Sequence, residues 1–182
     1  MRELSLNILD VAENSLRAKA TLINIDVEVS DEQVTITIKD NGCGMDKEFL
    51  ARVTDPFTTT RTTRKVGLGL PLIKMEAEMA GGTFEISSAT GEGTTVKTTF
   101  AKDHIDRPPL GDLGGTIAAL LPDLGTTRLI FSYRAFEQTF TLDTEEILQQ
   151  LDGIPLDEPE VLLFVKQLIE ENITTINGGI VL

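Results

Sequence analysis

Asp40-Asn41-Gly42-Cys43-Gly44-Met45 closes the alternating run Val34 to Lys39, and the reading of this chain turns on that stretch. A strand of period two ends on a carboxylate, and glycines at two-residue spacing then let the backbone reverse tightly. Taken alone, Asp-Asn-Gly is an ordinary turn. Two further glycine loops, at 67–69 and 91–93, alternate with predicted helices and strands within the first hundred residues. Together with the acidic and amide pair Glu13-Asn14 on the first predicted helix, the three loops point to a nucleotide site.

Outward from the loop, the apolar spacing of Leu6, Leu9, Ala12 and Leu16 predicts a helix capped by Ser5 and ending near Ala18. Leu22 to Val29 and Val34 to Lys39 predict a hairpin turning at Ser30-Asp31-Glu32. A short helix is expected over 46–53, and a second over 72–80, with Pro71 at its start and Gly81-Gly82 past its end. Thr83 to Ser88 and Thr94 to Phe100 read as another antiparallel pair. This order predicts an α/β sandwich, a mixed and mostly antiparallel sheet with helices on one face.

Beyond residue 100 the character changes. Residues 1–100 carry 11 basic and 15 acidic side chains, whereas residues 101–182 carry 5 and 14. Pro108-Pro109 and Gly111 interrupt the periodicity, so a first domain over 1–101, a linker over 102–111 and a small acidic α/β segment over 112–182 are expected. That segment reads as a helix over 113–121 stopped by Pro122, a hairpin of 128–133 with 136–142, a helix over 143–151 and a longer one over 160–173.

Composition narrows the function. The chain has 182 residues and a formal net charge of -13, which repels phosphate backbones and makes nucleic acid a poor partner. Hydrophobic residues make up 41%, enough for a core, yet no run is long enough to span a membrane. The start Met1-Arg2-Glu3-Leu4-Ser5 is unlike a secretory leader, and the single Cys43 cannot form an intramolecular bridge. A reducing cytoplasm is expected. One histidine and one cysteine cannot build a zinc cage.

The motif order over about residues 4–100 resembles the GHKL ATPases, the superfamily of gyrase, chaperone ATPases, histidine kinases and MutL proteins. Glu13 to Thr21 is similar to the N box in its MutL wording, and Asp40 to Met45 to the first glycine box. Asp55-Pro56-Phe57-Thr58-Thr59 resembles the phenylalanine box of histidine kinases, Gly67-Leu68-Gly69-Leu70 their second glycine box and Gly91 to Thr95 the third. Where that second box often reads Gly-Thr-Gly-Leu-Gly-Leu, this chain has Lys65-Val66 before Gly67. His104-Ile105-Asp106-Arg107-Pro108-Pro109-Leu110 shares four residues with the phosphoacceptor box of those kinases, but that box precedes their ATPase domain, so a linker histidine is the default.

The resemblance implies a Bergerat ATP-binding fold and Mg-ATP as ligand. Asn14 offers an amide oxygen that suits Mg2+. Glu13 is the candidate general base, and Arg17, one turn on, a phosphate contact. Read without the glycine loops, Glu13 and Arg17 are an exposed i,i+4 pair worth about 0.3–0.5 kcal/mol. Asp40 is implied to accept from the adenine amino group, which selects adenine over guanine because a carboxylate only accepts. Gly42 and Gly44 flank the base; Gly67, Leu68 and Gly69 bring backbone amides toward the phosphates at a helix start. Thr94 either supports the pocket through its hydroxyl or is simply a β-branched strand residue. Residues 58–65 read as a polar lid over the triphosphate. The implied function is a protein kinase that passes the γ-phosphoryl group to His or Ser/Thr of a partner protein; the alternative is an ATP-binding switch or slow ATPase read by a partner.

Overall fold

The computed structural model describes residues 3–55 and 69–180. The element order among these is α1 (Leu4–Arg17), β1 (Leu22–Val29), β2 (Gln33–Asp40), α2 (Lys47–Leu50), α3 (Gly69–Met79), β3 (Phe84–Ala89), β4 (Gly93–Ala101), α4 (Leu113–Leu120), β5 (Arg128–Ala135), β6 (Gln138–Asp143), α5 (Thr144–Gln150) and α6 (Pro159–Ile176). The strands form a sheet of order β3-β4-β2-β1-β5-β6, antiparallel except where β5 runs parallel to β1.

Period-two alternation builds this sheet. Ile23, Ile25, Val27 and Val29 of β1, Val34, Ile36 and Ile38 of β2, and Leu129, Phe131, Tyr133 and Ala135 of β5 are all buried. Their neighbours Asp26, Glu28 and Lys39 lie on the opposite, open face. On the buried face, α1 contributes Leu4, Ile8, Val11 and Ala12, α3 contributes Ile73 and Ala77, and α6 contributes Val161, Val165 and Ile169. The predicted α/β sandwich, with its mixed and mostly antiparallel sheet, is the observed fold.

Several local expectations need correction. Ser5 does not cap α1: the helix starts earlier, Glu3 occupies the cap position without a side-chain bond, and Ser5 lies buried in the first turn. The helix expected from Leu72 already begins at Gly69. The α-helix α4 does end before Pro122, at Leu120, one residue short of the expected bound, and Pro122 itself sits in a 3-10 turn, Leu121–Asp123, that follows it. By contrast Asp46 and Asp143 cap α2 and α5, accepting from the amides of Phe49 and Glu145.

The acidic segment is continuous with the rest of the fold. β5 pairs with β1 along its whole length, from Leu22 beside Arg128 to Val29 beside Ala135. One apolar cluster runs from Leu4 through Phe100 to Ile176. Residues 102–111 are a surface connection whose end is fastened to α1, since the amides of Leu4 and Ser5 donate to the carbonyls of Pro109 and Leu110 at 2.9 Å. At the far end of β5, Arg128 pairs with Asp143 and Glu145, both at 2.5 Å. The guanidinium hydrogen bond holds the Asp143 carboxyl below its usual range, outweighing burial.

A chain ending near Lys102 would expose the β1 edge and lose Ile117, Leu120, Leu129, Phe131, Val165 and Ile169. Each such side chain contributes about 1.5–3 kcal/mol when fully buried, and the six together rival the ~5–15 kcal/mol net stability of a domain. We expect that truncation to lose its cooperative thermal transition, checked by circular dichroism against the full chain.

Candidate nucleotide site

The carboxyl end of β2 and the start of β4 meet the carboxyl-terminal half of α1 at one rim of the sheet, with Asp40 at the junction. Asp40 pairs across the sheet with Thr94 and is only 7% exposed. Its Oδ2 accepts from the buried Ser15 hydroxyl of α1 at 2.6 Å. Its Oδ1 accepts from the backbone amides of Gly42 at 2.9 Å and Thr94 at 3.2 Å. A carboxylate has about four acceptor positions. These donors come from a helix, a loop and a strand, so the carboxylate is fixed and one acceptor position is left over.

The glycine loops fit around this group. Gly93 has φ +99° and a side chain there would meet the Asp40 carbonyl oxygen at 2.0 Å; Gly44 has φ +66° and a side chain would meet the Ala89 carbonyl oxygen at 1.9 Å. Only glycine fits at either position. The loop is also stitched to its surroundings. Cys43 donates its amide to Ala18, Gly91 donates to Cys43, and the Asn41 side chain accepts from Thr21 and Leu22 at 2.8 and 2.9 Å. Ser88 donates to the Gly93 carbonyl at 2.7 Å and stands 3.0 Å from the Thr94 hydroxyl.

On α1, Glu13 and Arg17 form an ion pair at 2.6 Å, each side chain roughly half exposed. Arg17 also donates to the Asn14 Oδ1 at 3.0 Å. Asn14 is exposed and Ser15, the next residue, points into the core. A third acidic group stands one turn before Asn14. Asp10 shares its face, because residues four apart on a helix are stacked. A side chain added at Gly69, the first residue of α3, would lie 3.2 Å from the Asp10 Cβ and 3.5 Å from its Oδ2. Asp10 therefore faces the start of the helix that the second glycine box opens.

The structure thus brings together Asn14, Asp40, Gly42, Gly44, Thr94 and the entrance to α3 at Gly69. Gly67 and Leu68, Phe57 of the phenylalanine box, and the lid over 58–65 lie outside the described residues. His104 is not part of this rim: it sits beside Gly81, past the far end of α3, roughly 15 Å from the start of that 11-residue helix. Sequence reading missed Asp10 and Ser15. Asp10 carried a signal, its i,i+4 spacing from Asn14, while Ser15 looked like any polar helical residue.

Comparison with known proteins agrees with this geometry. A family model described as histidine kinase-, DNA gyrase B- and HSP90-like ATPase matches residues 2–104. Among curated relatives, the signal transduction histidine-protein kinase AtoS of Escherichia coli is 34% identical over 95 residues, 52% of this chain and 16% of the relative. The C4-dicarboxylate transport sensor protein DctB of Pseudomonas aeruginosa is 35% identical over 100 residues, 53% of this chain and 16% of the relative. The non-motile and phage-resistance protein of Caulobacter vibrioides is 33% identical over 115 residues, 59% of this chain and 14% of the relative. The chain spans about one sixth of the length of these relatives. With the family match over more than half of the chain and the glycine loops folded around Asp40, this protein belongs to the histidine kinase-, DNA gyrase B- and HSP90-like ATPase family and is an ATP-binding, kinase-like domain.

Proposed function

We propose that the protein binds Mg-ATP at the Asp40 rim and transfers the γ-phosphoryl group to a nucleophilic side chain of a separate partner protein. The supporting observation is the Asp40 carboxylate, held by Ser15, Gly42 and Thr94 with one acceptor position left for the adenine amino group. Guanine carries a carbonyl where adenine carries that amine, and two acceptors facing each other repel. Asn14 would hold Mg2+ through its Oδ1, and Arg17, which donates to that oxygen, would reach phosphate oxygens. When bound, the metal neutralises charge on the β- and γ-phosphates. The amides at the start of α3 face the same phosphates, at the positive end of the helix.

In the transfer, a histidine nitrogen or a serine or threonine hydroxyl of the partner attacks the γ-phosphorus, the bond to the β-phosphate oxygen breaks, and ADP leaves. A hydroxyl acceptor passes its proton to a carboxylate of α1. Glu13 and Asp10 compete for that duty. Glu13 is held to Arg17 at 2.6 Å on the flank of the helix. Asp10 lies on the Asn14 face against Gly69, and the geometry favours it. The cytoplasm supplies the ATP, and the exposed, free Cys43 suits that reducing compartment.

Asp40→Ala is expected to abolish ATP binding and, because the Ser15 hydroxyl and the amides of Gly42 and Thr94 lose their acceptor, to lower the thermal midpoint while unfolding stays cooperative; the wild type is expected to prefer ATP over GTP. Equal affinity for both nucleotides, measured by calorimetry, would remove the adenine assignment.

Asn14 acts only through the metal in this reading. Asn14→Ala should weaken binding of Mg-ATP and leave metal-free nucleotide binding nearly unchanged. A parallel fall in both affinities would make Asn14 a structural residue.

Phosphoryl transfer to a hydroxyl acceptor should fall by roughly 100- to 10,000-fold in the variant that removes the base, with ATP affinity retained. We expect this for Asp10→Asn and only a small change for Glu13→Gln, scored as label from ATP appearing on partner protein. The reverse order would return the role to Glu13, and release of phosphate without labelled protein would mark an ATPase.

A further inference from the structure

The contact between α1 and α3 contains a polar residue where packing alone calls for an apolar one. Asn7 is wholly buried, one turn from Leu4 and Val11, among the residues that α1 turns toward the core. Its Nδ2 donates to Oε2 of Glu76 on α3 at 2.5 Å. Its Oδ1 has no hydrogen-bond partner among the described residues. An unsatisfied buried carbonyl is costly, and an apolar pair of the same shape would be as stable or more so. Stability therefore does not explain the pair. A buried polar link retained at such cost fixes the register of two helices.

The placement gives that register a consequence. Along α1, Asn7 precedes Asp10 by three residues; along α3, Glu76 follows Gly69 by seven. The helices meet at two levels in antiparallel order: Asn7 bonds Glu76, and Asp10 faces Gly69, which has no side chain to hold it. The second level lies at the mouth of the site. Ile73 and Ala77 give α3 an apolar underside that tolerates sliding or rotation on the sheet, since apolar contacts are non-directional. The amide-to-carboxylate bond does not tolerate either.

We propose that Asn7 and Glu76 are positioning residues that set the rotation and advance of α3 on α1, and so hold its first amides in place for the phosphates of the nucleotide. This rests on the ATP reading of the site. The adenine end, built on Asp40 from β2, β4 and Ser15, is independent of the pair. Loss of the link is therefore felt by the phosphates and not by the base.

The test compares affinity for ATP with affinity for adenosine, alongside the thermal midpoint without nucleotide. Asn7→Leu combined with Glu76→Leu should keep or raise the midpoint, leave adenosine binding unchanged and weaken ATP binding about tenfold, as expected for a small misplacement of positioned groups. Glu76→Gln should bind ATP within twofold of wild type, because its amide oxygen accepts from Nδ2 and its amide nitrogen can donate to the orphaned Oδ1. Glu76→Ala, at a half-buried position, should show the same selective loss of ATP affinity and decides the matter should the double variant fail to fold. ATP affinity unchanged in Glu76→Ala, or equal losses for ATP and adenosine, would overturn the inference and leave the ATP reading standing. A folded wild type that bound neither ligand would remove the ATP reading, and this inference with it.

Discussion

A single buried carboxylate organises the rim on which the rest depends. Asp40 ends β2, yet its oxygens are satisfied from α1, from its own loop and from β4. Burying a charge without such donors is prohibitive, so the three elements are obliged to converge wherever Asp40 goes. Gly93 then follows of necessity, since a side chain there would run into the Asp40 carbonyl. The fixing of the Asp40 carboxylate and the closure of the α1, β2 and β4 corner are therefore one constraint, and the glycine loops are how the backbone meets it.

Much of this was legible because the constraint is local. Alternation marked β1 and β2, the glycine spacing marked the loops, and the helices expected from 46 and 143 do begin there, capped by Asp46 and Asp143. The misplaced start of α1 shows the limit: Ser5 is a good cap by type, but the amide groups of the first turn are satisfied by Pro109 and Leu110, over a hundred residues away. Long-range acceptors of this kind leave no trace in local spacing. The same holds for Ser15, whose role exists only because Asp40 arrives beside it 25 residues later.

The acidic segment is the clearest case of information that sequence periodicity withholds. Its hairpin of β5 with β6 was visible, but the pairing of β5 with β1 was not, because a run such as Leu129, Phe131, Tyr133 and Ala135 fits any strand with a matching apolar face. Ile23, Ile25, Val27 and Val29 provide that match in register. Parallel pairing needs a crossover, and α4 with its 3-10 turn is that crossover. Proline and glycine in 102–111 looked like a boundary between two cores because a surface connection and a linker share the same composition.

The architecture also separates the two ends of the molecule. The Asp40 rim gathers the carboxyl ends of α1 and β2 and the start of β4. The opposite end gathers the start of α1, the connection 102–111 and the carboxyl end of α6, joined through Pro109 and Leu110 and through Tyr133, whose hydroxyl donates to Asn177 at 2.9 Å. Both ends share α1, whose 14 residues span roughly 20 Å. A helix passes a displacement at one end to the other with little loss, whereas a loop absorbs it. The acidic segment, through α4, thus packs on the same rigid element that carries Asp10 and Asn14, and α3 is bonded to that element through Glu76.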